Sequence, residues 1–272
     1  MKLKILVTGA SGFIGRKFVE KAASITDAEI ITTSFTRAGD TTVKVDLADA
    51  DQVKQMLASV SPTHVFHFAA MVNPKMNEEK KLDSFRKNFI ITNNLINVCN
   101  EQTKFYFLST DKVYDPADRN ASEDDDTLVP GGFYALMKLV CEKIIAGRFE
   151  KHLILRCPII HSTGEAVSNS FIDNALLQLA KGQPVQAFTN VVRHYLLADE
   201  LIDFLIDSID LPHYGTYNIG SEPASYINRI SAIASQKGLD LGLLSGGTGN
   251  VDPEVQTYDL SKFRNTFKKT FK

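Results

Sequence analysis

The sequence predicts an α/β protein: a doubly wound parallel sheet followed by a smaller C-terminal lobe. Three observations carry this. Short β-branched or aromatic runs alternate with longer amphipathic runs from the N-terminus to residue 157. The first apolar run passes directly into closely spaced glycines and then a helix-like stretch. Beyond Pro158 the alternation loosens, as a separate lobe would require.

Taken in order, strands are predicted over 4–8, 29–34, 42–46, 64–68, 104–109 and 152–156. Helices are predicted between them over 12–23, 50–59, 78–100 and 132–149, where apolar residues recur at helical spacing. The later part holds a helix over 171–180, a strand and helix within 185–207, a strand at 217–219 and a short helix over 227–237. Residues 1–157 then form the sheet domain, with 184–210 returning to it. Residues 158–183 and 211–272 form a substrate lobe over the carboxyl ends of the strands, where open α/β sheets bind ligands. Gly246, Gly247 and Gly249 have no strand before them or helix after, and read as a flexible connection. The acidic run 123–126 sits in a loop and reads as solvated surface.

Composition sets bounds on function. The 272 residues are 44% hydrophobic and 23% charged, enough to bury a full core, which excludes disordered and fibrous classes. A net charge of -2 gives no overall field for gathering nucleic acid or anionic membrane, so neither is a predicted partner. Three cysteines without a CxxC pair suggest neither a disulfide framework nor a thiolate zinc site, and the scattered histidines suggest no metal. The apolar stretch at 5–7 is too short for a signal segment, and no run approaches the ~20 residues of a membrane span. A cytoplasmic protein is the expectation.

The first strand leads into Gly9-Ala10-Ser11-Gly12-Phe13-Ile14-Gly15. Glycine lets the backbone turn tightly, approach a pyrophosphate and pack the helix on the strand, while the helix N-terminus supplies N–H groups and partial positive charge to the phosphates. This is a dinucleotide-binding (Rossmann) arrangement. At the end of the second strand an NAD enzyme needs a carboxylate for the ribose 2′-hydroxyl. Residues 31–37 contain no acid; instead Ser34 and Thr36 can donate to a 2′-phosphate and Arg37 can pair with it. NADP(H) is therefore preferred, with NAD(H) as the alternative.

Tyr134 and Lys138 lie one helical turn apart on one face. A free phenol has a pKa of ~10, and a neighbouring ammonium favours the phenolate, so the pair suits proton transfer near neutrality. The same spacing recurs at Tyr258 and Lys262. Position separates them, because Tyr134 opens the helix after the fifth strand while Tyr258 lies in the C-terminal tail.

The glycine spacing GxxGxxG, the Tyr134/Lys138 pair, Val45-Asp46-Leu47, His67-Phe68-Ala69-Ala70, Asn88, and Arg156 with Pro158 together resemble the extended short-chain dehydrogenase/reductase family over most of the chain. The resemblance implies an NAD(P)-dependent enzyme in which Gly9, Ser11, Gly12, Phe13, Ile14 and Gly15 hold the pyrophosphate. Asp46 and Leu47 would lie near the adenine; Phe68, Ala69, Ala70 and Asn88 would line the cofactor. Thr110, within Ser109-Thr110-Asp111-Lys112-Val113-Tyr114, would be the catalytic hydroxyl beside Tyr134, and Lys138 would also hold the nicotinamide ribose. Val72, Asp111, Arg156 and Arg193 would face the substrate.

Within the family, sugar-nucleotide 4,6-dehydratases carry Thr-Asp-Glu where this chain has Lys112, which disfavours dehydration. Ser109-Thr110-Asp111, the stretch 171–185 and Asp259-Leu260 through Lys262 look like dTDP-4-dehydrorhamnose reductases, whose Gly-x-Pro-Thr segment is missing here. Val192-Arg193-His194-Tyr195 is closer to the epimerase branch, where the arginine contacts the substrate pyrophosphate. Three readings follow: reduction of a keto group on a nucleotide-activated 4-keto-6-deoxy sugar, a sugar-nucleotide epimerase, or a non-catalytic NADP-binding regulatory subunit. The helices over 78–100 and 132–149 could also pair across a two-fold as in family members, giving a homodimer.

Overall fold

The computed structural model describes residues 2–36, 39–115, 117–118, 120–164, 170–249 and 253–272. Its first half runs β1 (Leu3–Thr8), α1 (Phe13–Ala22), β2 (Ala28–Ser34), β3 (Thr42–Lys44), α2 (Ala50–Val60), β4 (His64–His67), α3 (Pro74–Glu79), α4 (Lys81–Ser84), α5 (Ile91–Val98), β5 (Lys104–Thr110), α6 (Phe133–Arg148) and β6 (His152–Cys157). It continues with β7 (Ile159–His161), α7 (Phe171–Ala180), β8 (Val185–Phe188), β9 (Val191–Arg193), β10 (Tyr195–Leu197), α8 (Ala198–Asp207), β11 (Gly215–Asn218), β12 (Ala224–Ser225), α9 (Tyr226–Gln236), β13 (Leu244–Gly247), β14 (Glu254–Gln256) and α10 (Ser261–Phe267).

Seven strands form one sheet in the order β11-β6-β5-β4-β1-β2-β3, and β1 pairs in parallel with β2 on one side and β4 on the other. The strand order therefore reverses at β1, so the carboxyl ends of β1 and β4 bound the crevice where doubly wound sheets take ligands. Ile5, Leu6 and Val7 are fully buried, as expected of a strand with helices on both faces. On one face α2, α5 and α6 bring Val53, Leu57, Leu95, Ile145 and Phe149 onto Leu6, Val65, Phe105 and Ile154. Phe105 and Phe149 stack with centroids 5.0 Å apart, adding an oriented ring contact to the area they bury.

Two compact units divide the chain. The first comprises Met1–Tyr114, Thr127–Arg156 and Ile202–Tyr217; the second comprises Asp115–Asp126, Cys157–Leu201 and Asn218–Lys272. In the second, three small sheets pair β7 with β10, β8 with β13, and β9 with β12 and β14. Ile172, Leu176, Leu179, Ile230 and Ile233 from α7 and α9 close its core around Tyr195.

Two expectations are corrected. The single helix predicted over 78–100 begins earlier, at Pro74, where Asn73 caps the Met76 N–H, and it is broken at Lys80 and by a π-helical turn, Phe85–Ile90. Buried amides cause the break: Asn88, Asn77 and Ser84 satisfy one another and the Met71 backbone, which a regular helix would not align. Gly246 and Gly247, read as a flexible connection, lie in β13 beside β8. A Cβ at Gly247 would come within 2.7 Å of the Gln186 side chain, an exposed and flexible neighbour.

The three cysteines are reduced and buried, with burial pushing the Cys99 thiol up to about 12. Among the described residues no His, Cys, Asp and Glu cluster could hold a metal, and no helix is long and apolar enough to cross a membrane.

Candidate functional site

The turn after β1 leaves no room for a side chain at Gly9 or Gly15. Gly9 has φ +69°, and a Cβ there would lie 2.5 Å from the Ala69 amide nitrogen; one at Gly15 would lie 2.2 Å from the Gly9 carbonyl oxygen. Gly12 caps α1 without any side-chain hydrogen bond to the helix, and the Gly12 N–H closes the turn onto Gly9 O at 2.9 Å. Ser11 and Gly12 are exposed, while Phe13 and Ile14 are half-buried. A helix N-terminus whose cap residue lends no side-chain acceptor, at a glycine-lined turn, is chemically suited to a pyrophosphate.

A buried polar relay fixes this turn to the neighbouring strand. The Thr8 hydroxyl lies 2.6 Å from His67 Nδ1, and His67 Nε2 lies 2.8 Å from Thr92 Oγ1, which itself donates to Asn88 O at 2.7 Å. Because the Thr92 proton is committed to Asn88, Nε2 must carry the imidazole proton and Nδ1 must accept from Thr8. Burial, with the Lys138 charge as a second cause, holds His67 neutral with a pKa of about 3. Sequence reading placed His67 in a family segment but missed this role.

Of the residues expected on the adenosine side, Ser34 is half-buried at the end of β2 and Thr36 is exposed, its N–H donating to Ser34 Oγ at 3.3 Å. Arg37 lies outside the described residues. Asp46 accepts from the Ala48 N–H at 2.9 Å and from Arg86 Nη2 at 2.7 Å, and Leu47 is buried. Phe68, Ala69 and Ala70 are half-buried beyond β4. Asn88 fixes the chain that follows them, accepting from the Met71 N–H at 2.8 Å and donating to Asn77 Oδ1 at 2.8 Å. Val72 is exposed.

The Tyr134 and Lys138 pair sits on the first turns of α6. Tyr134 is half-buried and Lys138 buried, with Nζ 5.9 Å from the Tyr134 ring centroid, so both occupy one helical face. Lys138 Nζ donates to the Leu108 carbonyl at 2.8 Å and lies 4.3 Å from the Phe107 centroid, which ties the cation to β5. Thr110 closes β5; its hydroxyl faces Asp111 Oδ1 at 3.3 Å and caps the Lys112 N–H at 3.3 Å. Asp111 is buried. Glu78, which sequence reading missed, accepts from the Phe133 N–H at 2.5 Å and so caps the helix that carries Tyr134.

The sequence profile of the NAD dependent epimerase/dehydratase family matches residues 5–220. The chain belongs to this family. Among curated proteins it is 30% identical to GDP-L-fucose synthase from Dictyostelium discoideum, over 48% of this chain and 40% of that one. It is 28% identical to methionine adenosyltransferase 2 subunit beta from Danio rerio, over 62% of this chain and 51% of that one. The chain thus spans about half the length of these relatives, or less. The dTDP-4-dehydrorhamnose reductase from Bacillus anthracis, solved in complex with NADP, shares the fold with a TM-score of 0.85 at 16% identity, covering 100% of this chain and 95% of that one.

Several residues that the family resemblance pointed to have internal partners. Arg156 is buried in an ion pair with Glu142 at 2.8 Å and donates to the Tyr114 hydroxyl at 2.6 Å, all within the first unit. Arg193, in the second unit, is buried and pairs with Glu254 and Gln256. Arg156, expected to face the substrate, and Arg193, expected to meet its pyrophosphate, are thus each matched by a carboxylate inside the protein. The second YxxxK pair is structural: the Tyr258 hydroxyl donates to Ile219 O at 3.0 Å, its ring lies 4.2 Å from His194, and Lys262 pairs with Asp124.

Proposed function

We propose that this chain is an NADPH-dependent reductase of a keto group on a nucleotide-activated sugar, of the 4-keto-6-deoxy class, with NAD(H) as the alternative cofactor. The observation that carries the reading is the placement of Tyr134 and Lys138 on one face of α6, with the Lys138 ammonium anchored to the β5 backbone beside the strand that ends in Thr110. The glycine turn supports it: a Cβ at Gly9 or Gly15 would strike the backbone of Ala69 or of Gly9 itself, so the tight turn that leads into the N-terminus of α1, where a pyrophosphate would sit, needs glycine at both positions.

When bound, the nicotinamide supplies the hydride that reaches the carbonyl carbon. Tyr134 gives its phenolic proton to the carbonyl oxygen as negative charge develops there. Lys138 favours the phenolate that remains, and its bonds to Leu108 O and Phe107 keep it from swinging into solvent. Thr110 offers a hydroxyl to the same oxygen. In the structure that hydroxyl donates to the buried Asp111 Oδ1, so it must turn its one proton away from Asp111 to reach the substrate oxygen.

A second reading has an observation of its own. The likeness to methionine adenosyltransferase 2 subunit beta, a protein named as a subunit of a larger enzyme, favours the reading as a non-catalytic, NADP-binding regulatory subunit. The sugar-nucleotide epimerase reading rests on Val192-Arg193-His194-Tyr195 and predicts no net cofactor consumption. One assay separates the three: protein, NADPH and UDP-, dTDP- or GDP-linked 4-keto sugars, with NADPH oxidation followed. Stoichiometric oxidation with one nucleotide series supports the reductase. Conversion without oxidation supports the epimerase, and binding without conversion supports the regulatory subunit.

A further inference from the structure

Arg86 stands on the π turn between α4 and α5, well outside any motif that sequence reading used. Its Nη2 donates to Asp46 Oδ2 at 2.7 Å, and its side chain is 60% exposed. The register of β2 and β3 says where that contact lies. Ser34 pairs with Lys44, and the Val45 N–H donates to Ser34 O at 2.9 Å, so Asp46 is the next residue along the edge that carries the Ser34 hydroxyl. Asp46 is rigidly seated: Oδ1 accepts from the Ala48 N–H, and its own N–H donates to Gln52 Oε1 at 3.0 Å.

An exposed ion pair contributes little to folding stability, so this contact does not explain itself as a structural tie. Its electrostatic consequence is larger. The NAD-type carboxylate belongs at the end of β2, where none stands, but a bare carboxylate just beyond β3 would still repel a nearby 2′-phosphate on charge alone. Arg86 neutralises that carboxylate through one N–H. A guanidinium has five, in a planar fork that suits phosphate, and no second acceptor engages Arg86 among the described residues.

We propose that Arg86, braced by Asp46, recognises the 2′-phosphate of the adenosine ribose and so sets a preference for NADPH over NADH. The inference rests on reading the β1–β4 edge as a dinucleotide site, and it is independent of what Tyr134 does.

The test uses the full chain and needs no sugar substrate. Dissociation constants for NADPH and for NADH are measured by cofactor fluorescence for the wild type, Arg86→Ala and Arg86→Lys, together with the melting temperature of each protein without cofactor. The expected result is a loss of about tenfold or more in NADPH affinity for Arg86→Ala, a change below about twofold for NADH, partial recovery with lysine, and unchanged melting. Equal losses for both cofactors would make Arg86 an adenine contact and overturn the proposal. No loss for either would reduce it to a surface ion pair, and a lowered melting temperature would make it structural. If the wild type binds NADH more tightly than NADPH, this inference fails while the oxidoreductase reading stands. If it binds neither, the dinucleotide reading itself fails.

Discussion

Gly9 has little latitude. Its φ of +69° and the 2.5 Å from a would-be Cβ to the Ala69 nitrogen both oppose any side chain, and the close neighbour is backbone, which cannot turn aside. Gly9→Ala should therefore cost about 1–3 kcal/mol of stability by urea unfolding and weaken NADPH binding at the same time. Wild-type stability and affinity in that variant would mean the turn is looser than described. Such residues are legible in a sequence because their pattern is local, as is the four-residue step from Tyr134 to Lys138. Arg86 and Glu78 are not, since their partners Asp46 and Phe133 lie 40 and 55 residues away in the chain. Arg156 and Arg193 show the converse: both stand where family members have an arginine, yet each finds a carboxylate of its own.

Among the elements, α6 depends most on a distant one. Its N-terminus has no side-chain cap from the preceding residue, and the carboxylate of Glu78 on α3 fills that position through the Phe133 N–H. A carboxylate at a helix N-terminus also meets the positive end of the dipole. Glu78→Ala should destabilise the protein by about 1 kcal/mol, and Glu78→Gln, which keeps the acceptor, should recover part of that; thermal or urea unfolding of the two variants compares them. Equal stability in all three proteins would show that the cap carries nothing. The regular elements of the sheet were legible because burial on both faces leaves near-continuous apolar runs. The break after Glu79 was not, because buried amides of Asn77 and Asn88 decide it. Strands such as β12, two residues long, are set by their partner and leave no periodicity of their own.

For the molecule as a whole, buried neutral histidines link stability to pH. His67 has a folded pKa of about 3 and His64 of about 4, against 6.5 for the unfolded chain, burial being the first cause in each. The unfolded chain therefore takes up protons first as the pH falls. The stability these histidines contribute is complete above pH ~6.5 and declines as the pH drops toward 4, by about 1.4 kcal/mol per pH unit for each fully shifted group. Urea midpoints should fall steeply between pH 7 and 5, and His67→Gln should flatten part of that slope even though it lowers stability at neutral pH. A midpoint independent of pH over this range would show that the imidazoles are reached by water.

The central claim concerns Tyr134, and one comparison reaches it most directly: NADPH binding and NADPH oxidation, measured side by side for the wild type and Tyr134→Phe with the keto sugar nucleotide that the wild type turns over best. The predicted outcome is an unchanged dissociation constant for NADPH with turnover reduced by roughly 10²–10⁴. Undiminished turnover in Tyr134→Phe would contradict the account, because the proton would then come from elsewhere.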